Sequence, residues 1–231
     1  MAPPYHVLTA PGGARHTNGM TTPLAFHFDV HSPWCFLASL RVEAIAAKHG
    51  RAVDWVPLHL ARLMDRVGGR RPLEANPAFV AWYRQDLQDW ATRAGVTLRQ
   101  HPDYPLRPAR ALRACCFARS EGKGGAFARA VLAAYWTEAA QIDDAGLLGD
   151  LGARVGLDRA AVIAATGEER WKAEVEANTE AAAQSGIFGL PATIADGKLF
   201  FGNDRLELLD LFLTHGRIPG PELSAADSRP R

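Results

Sequence analysis

A short apolar run, Leu24 to Val30, leads directly into Ser32-Pro33-Trp34-Cys35, after which Phe36, Leu37, Leu40, Ala44 and Ile45 recur at helical spacing until Gly50. The run has the length of a buried strand and the spacing behind it is that of a helix, so residues 32 to 35 sit at a strand-to-helix handover. Ser32 suits the cap of that helix and Pro33 its first position, where a missing N–H costs nothing. On these signals alone Ser32 is only a cap. The same helix end presents unpaired N–H groups and roughly half a positive charge, which favours an anion.

A second pattern lies far down the chain. Gly186-Ile-Phe-Gly-Leu190-Pro191-Ala-Thr-Ile is followed by Asp196-Gly197 and then by Lys198-Leu-Phe-Phe-Gly-Asn-Asp-Arg-Leu206. Asp-Gly between two apolar runs is a hairpin signal, and Asp204-x-x-Glu207 opening a Leu-rich run is an acidic relative of the capping box. The segment predicts strand, turn, strand, helix. Between the two patterns the chain is helical. Asn76-Pro77 is a cap with a first-turn proline, and Phe79, Trp82, Tyr83, Leu87, Trp90 and Ala94 mark one face until Gly95. Further helices are predicted at about 108 to 121, 124 to 140, 143 to 155, 158 to 165 and 168 to 185.

With 231 residues the chain can bury a substantial core, and a formal net charge of +1 supplies no drive toward nucleic acid or a membrane surface. No apolar run approaches a membrane span, and the first 23 residues lack the pattern of a secretory signal. Those residues and Gly216 to Arg231 read as loose tails, with Met20 a second possible start. Cys115 and Cys116 are neighbours on a helix and Cys35 is distant, so no disulfide framework is expected and a reducing compartment, the cytoplasm, fits. His27-x-Asp29-x-His31 alternates as metal ligands could, but beside a strand it reads as buried core, and no metal site is expected. The elbow of serine hydrolases, the dinucleotide-binding glycine pattern and the P-loop are all missing.

Phe28-Asp-Val-His-Ser-Pro-Trp-Cys-Phe-Leu37, Phe188-Gly-Leu-Pro-Ala-Thr193 and Phe201-Gly-Asn-Asp-Arg-Leu206, with a weaker block from Tyr83 to Ala91 continuing to Tyr104-Pro105, together resemble one family. It is that of the 2-hydroxychromene-2-carboxylate isomerases and the related kappa-class glutathione transferases. The resemblance runs from about Leu24 to Leu213. It implies an α/β, thioredoxin-like fold with an inserted all-helical domain. The thioredoxin-like part would span 24–62 and 187–215 and the insertion 63–186, between an N-terminal extension over 1–23 and a tail over 216–231. Ser32-Pro-Trp-Cys35 then corresponds to a Cys-x-x-Cys site whose first cysteine is serine, and Pro191 to the cis-proline that faces such sites.

The resemblance also implies the chemistry. Ser32 would stabilise the thiolate of glutathione, Leu190 before Pro191 would pair with the cysteinyl backbone, and Asn203, Asp204 and Arg205 would hold the charged ends. Trp34, Tyr83, Asp86, Arg110 and Arg113 are the candidates on the substrate side, although Tyr83 between Trp82 and Trp90 also reads as core. A guanidinium suits a substrate carboxylate, and Arg62, Arg66, Arg70, Arg71 and Arg107 are further candidates. Cys35 departs from the family and reads as buried and inert, with a one-cysteine thiol enzyme or a glutathionylation site as the alternative, and the loop from Val67 to Ala75 departs too, displacing Asn76. The expected activity is glutathione-dependent cis/trans isomerisation of an aromatic 2-oxo acid by a homodimer. A kappa-type transferase or peroxidase and a non-catalytic glutathione- or partner-binding module are the alternatives.

Overall fold

β1 (Leu24–Phe28) runs parallel to β2 (Val53–Pro57) and antiparallel to β3 (Ala192–Ala195), which pairs antiparallel with β4 (Lys198–Phe201), giving the sheet order β2-β1-β3-β4. The computed structural model describes residues 22–69 and 74–220. All but the last two residues of the expected extension, the tail beyond 220, and Arg70 and Arg71 therefore lie outside the described residues. β1 is central, with Leu24, Phe26 and Phe28 fully buried and His27 buried on the opposite face. The ring of Trp55 on β2 meets Phe26 and Phe28 edge-on at 4.9 and 5.6 Å.

The run after Ser32 is two helices, α1 (Pro33–Ser39) and α2 (Val42–Lys48), not the single helix predicted. Ser39 Oγ donates to the Phe36 carbonyl at 2.6 Å, and the next two N–H groups bond three residues back, tightening the end of α1. Leu40 is left 43% exposed at the break. α3 (Leu60–Val67) starts ahead of the expected start of the insertion at residue 63.

α4 (Pro77–Arg93) is capped by Asn76, whose side chain accepts from Phe79 N–H at 2.9 Å. Its predicted core face is a correction: Phe79 and Trp82 are exposed, and only Ala91 is fully buried. The helix lies over the rim of the molecule, so its aromatic stripe is half covered. α5 (Ala109–Ser120), α6 (Gly124–Glu138), α7 (Ala145–Arg154), α8 (Arg159–Ala165) and α9 (Glu169–Gln184) fall where the sequence places them. Caps at Asp144 and Asp158 set the starts of α7 and α8.

These helices share one hydrophobic core with the sheet. Arg119 on α5 clasps Asp54 on β2 through two hydrogen bonds of 2.7 and 2.8 Å, and Asn178 on α9 donates to the Pro57 carbonyl at 3.0 Å. Trp136 on α6 donates its indole N–H to the Val30 carbonyl at 2.9 Å. The helical layer thereby fixes the loops that leave the ends of β1 and β2. The last helix, α10 (Leu206–His215), is capped by Arg205 without a side-chain cap bond, so the expected acidic capping box does not form.

Candidate active site

Ser32 is the N-cap of α1, extended at φ −91°, ψ 116°, with its Oγ accepting the Cys35 N–H at 3.2 Å. Its hydroxyl hydrogen is left to donate elsewhere, because the cap uses only an acceptor lone pair. The turn leading to it is held by Asp29, which is 1% exposed. The Asp29 carbonyl accepts the Ser32 N–H at 3.1 Å, while its carboxylate accepts the His31 N–H at 3.0 Å and the Leu60 N–H at 2.8 Å. One buried carboxylate thus stitches the start of α1 to the start of α3.

Cys35 is fully buried, and burial pushes its thiol up to about 12 against the hydrogen bond from Ser32. It is buried, as the sequence predicts, and stays protonated at neutral pH. Burial likewise raises Cys115 and Cys116, and all three cysteines are free.

The Pro191 loop forms the opposite wall. The Leu190–Pro191 peptide is cis, as is Tyr104–Pro105, which the sequence reading did not anticipate. Gly202, at φ +99°, turns the chain so that its N–H reaches the Pro191 carbonyl at 2.9 Å. Gly189 allows Phe201 to close in, since a Cβ there would stand 2.8 Å from the ring. Phe188 and Phe201 pack at 4.6 Å, both partly exposed at the rim.

Between these walls lies a cavity of about 720 Å³ that Ser32, Trp34, Tyr83, Tyr104, Leu190 and Phe201 help to line. Trp34 and Tyr83 meet edge to face at 5.8 Å. Tyr83 is therefore a wall of the cavity and not the core residue that its neighbours suggest. Burial raises the phenol of Tyr83 to about 12 and also raises that of Tyr104, so both remain hydrogen-bond donors.

A smaller pocket of about 260 Å³ opens behind α1, lined by Leu37, Arg41, Trp90, Arg93, Ala94 and Asn203. Asn203 is 3% exposed, and its Oδ1 has no hydrogen-bond partner. The Arg41 guanidinium sits 5.9 Å from the Trp90 ring centre. Asp204 pairs with Arg205 at 2.6 Å. Asp86 has its carboxyl raised, first by burial and then by the charges of Asp204 and Asp89.

The arginines expected on the substrate side lie apart from the larger cavity's lining. Arg110 donates to the Asp143 carbonyl and Arg113 to the Thr166 carbonyl, and with Arg107 they line a separate pocket on α5. Their partners lie in the loops before α7 and after α8, and none of the three lines the cavity that holds Ser32. Arg62 and Arg66 pair with Glu176, and Arg66 also with Glu180 at 2.8 Å. Asn76 is a cap. His27 lies outside the cavity lining, whereas Asp29 and His31 belong to it. Sequence reasoning missed His59, Arg41 and Trp90. Nothing local marks them, because they reach their pockets only through the packing of β2, α1 and α4.

A family model described as a DSBA-like thioredoxin domain matches residues 24–214. The 2-hydroxychromene-2-carboxylate isomerase of Sphingobium xenophagum is 26% identical over 196 residues, covering 84% of this chain and 99% of the relative. A solved 2-hydroxychromene-2-carboxylate isomerase superimposes with a TM-score of 0.73 at 25% identity, covering 83% of this chain and 94% of that one. The cytosolic disulfide reductase DsbM of Pseudomonas aeruginosa, solved with GSH, shares the fold with a TM-score of 0.59 at 20% identity, covering 84% and 99% of the two chains.

Proposed function

The chain belongs to the DSBA-like thioredoxin domain family, and from that premise we propose that it is a glutathione-dependent cis/trans isomerase of an aromatic 2-oxo acid like 2-hydroxychromene-2-carboxylate. The observation that carries this reading is Ser32: a buried hydroxyl at the N-terminus of α1, on the wall of an aromatic cavity, where a redox site would have a cysteine. With Cys35 protonated and alone, the site has no dithiol of its own. Relatives that carry the isomerase name support the reaction class.

The residues present fit a peptide thiol. Ser32 can donate to a sulfur anion, the end of α1 adds its positive dipole, and the backbone of Leu190 lies before the first paired rung of β3. The carboxylates of Asp86 and Asp204 suit an ammonium donor, and Arg41 or Arg205 suits a carboxylate. When bound, glutathione would supply a thiolate that can add to and leave a conjugated double bond, so that rotation occurs about a single bond. Trp34 and Tyr83 would hold the substrate ring, and Tyr104 would donate to one of its oxygens.

Three free cysteines suit the cytoplasm as the proposed location, and a homodimer is the proposed assembly. Among the described residues no helix is long and apolar enough to cross a membrane. The test is turnover of a 2-hydroxychromene-2-carboxylate with glutathione present and absent, with glutathione counted before and after. Isomerisation that requires glutathione and consumes none is expected. Loss of glutathione into a conjugate would make the protein a transferase, and binding without turnover would make it a module.

A further inference from the structure

Two imidazoles in the cavity wall are not used above. His31 and His59 each bury a ring nitrogen, Nε2 of His31 and Nδ1 of His59, that has no hydrogen-bond partner. Each of these nitrogens is turned into the protein with almost no accessible surface, so the other ring nitrogen, Nδ1 of His31 and Nε2 of His59, is the one left to meet a ligand in the cavity.

His59 is firmly placed. Its backbone N–H donates to Thr179 Oγ1 at 3.1 Å, and the next N–H, that of Leu60, donates to Asp29. His31 is tied to the same carboxylate through its own N–H, and its ring stacks on Tyr135 at 6.0 Å. The groups that act on the His59 ring are Asp29, Arg62, His31 and Glu176, and burial outweighs them, holding it below the ordinary imidazole range. A neutral ring at neutral pH can accept a proton. The other titratable groups of the wall are less suited: Tyr83 and Tyr104 keep their protons, both carboxylate oxygens of Asp29 already accept N–H groups, and Glu74 lies at the exposed rim.

The geometry points to His59, with His31 beside it, as the group that takes up and returns the proton in this cavity's reaction, an assignment that rests on the isomerase reading. When a nucleophile bonds to the far carbon of a conjugated 2-oxo acid, the double-bond pair shifts and the carbonyl pair moves onto oxygen. That oxygen needs a proton in an apolar cavity. His59 takes the proton released by an ionising thiol and gives it to that oxygen. It takes the proton back as the carbon–carbon double bond re-forms and the nucleophile leaves with its bonding pair. Protons and electrons balance over the cycle, and nothing is oxidised.

His59→Gln and His59→Asn place an amide near Nε2 and Nδ1 respectively, so at least one should fold. In a folded variant kcat should fall about a hundredfold or more with KM for glutathione unchanged, and the acidic limb of the pH–rate profile should vanish. A variant that keeps the wild-type kcat and that limb overturns the assignment. If the wild type isomerises nothing, the isomerase reading fails by itself, and His59 is judged by binding. Phenylpyruvate titrated calorimetrically in two buffers of different ionisation enthalpy should bring proton uptake to the wild type and none to the variants. Equal uptake in both, or none in either, overturns the assignment.

Discussion

At the scale of single residues, the proposed function turns on one atom, the Ser32 oxygen that stands where a redox site would have a sulfur. A hydroxyl does not ionise near neutral pH, so the helix end that would stabilise a protein thiolate is free to stabilise one supplied from outside. Cys35 cannot take over, since it is wholly buried and its thiol sits at about 12. The bond between the Cys35 N–H and Ser32 Oγ, at 3.2 Å, shows that residues 32 and 35 close one turn. Ser32→Cys is therefore expected to form a disulfide with Cys35 in a glutathione redox buffer, with the mass loss of two hydrogens on intact-protein mass spectrometry. A folded variant that forms only mixed disulfides would show that the turn is not of the Cys-x-x-Cys kind.

At the scale of elements, Asp29 has more to do than any motif suggests. It joins the start of α1 to the start of α3 by accepting two backbone N–H groups inside the protein. Asp29→Asn turns one acceptor into a donor aimed at a donor, and the unsatisfied pair should cost about 1–3 kcal/mol in urea unfolding. An unchanged midpoint would mean that the stitch contributes nothing. His27 on β1 makes a second prediction. Its pKa is lowered from 6.5, chiefly by burial, with backbone bonding to Ala192 opposing. The unfolded chain takes up the proton first as pH falls, so the contribution of His27 to stability is present above its unfolded pKa and is lost as pH falls toward its folded one. The melting temperature should drop on acidification below pH 6.5, and less steeply in His27→Gln. Equal slopes for the two proteins would remove His27 from the explanation.

The helices were legible where a cap fixes a start, as at Asn76, Asp144 and Asp158. They were misread where only tertiary packing decides. Periodicity aligned Phe79, Trp82 and Tyr83 on α4, but could not say that the first two stay exposed while the third faces a cavity. The same holds for Arg110 and Arg113, whose bonds to the Asp143 and Thr166 carbonyls no local pattern announces.

At the scale of the whole molecule, the helical layer and the sheet share one core, and the site lies where loops from both converge. The Ser32 and Pro191 blocks were legible because each carries its own local signal and the two approach across the pairing of β1 with β3. His59 and the orphaned Asn203 oxygen were not, because an unmet hydrogen bond exists only once the surrounding chain has closed over it. In the proposed function the dipole of α1, the Ser32 hydroxyl and the cavity act together to stabilise a foreign thiolate. The most direct measure of that stabilisation is the ultraviolet absorbance of the thiolate in bound glutathione, titrated against pH in the wild type and in Ser32→Ala. A charge-assisted hydrogen bond of about 1.5–3 kcal/mol corresponds to one to two pKa units, so the bound thiol should titrate that far below its value in the variant. Identical titration curves for the two proteins, with glutathione bound to both, would contradict it.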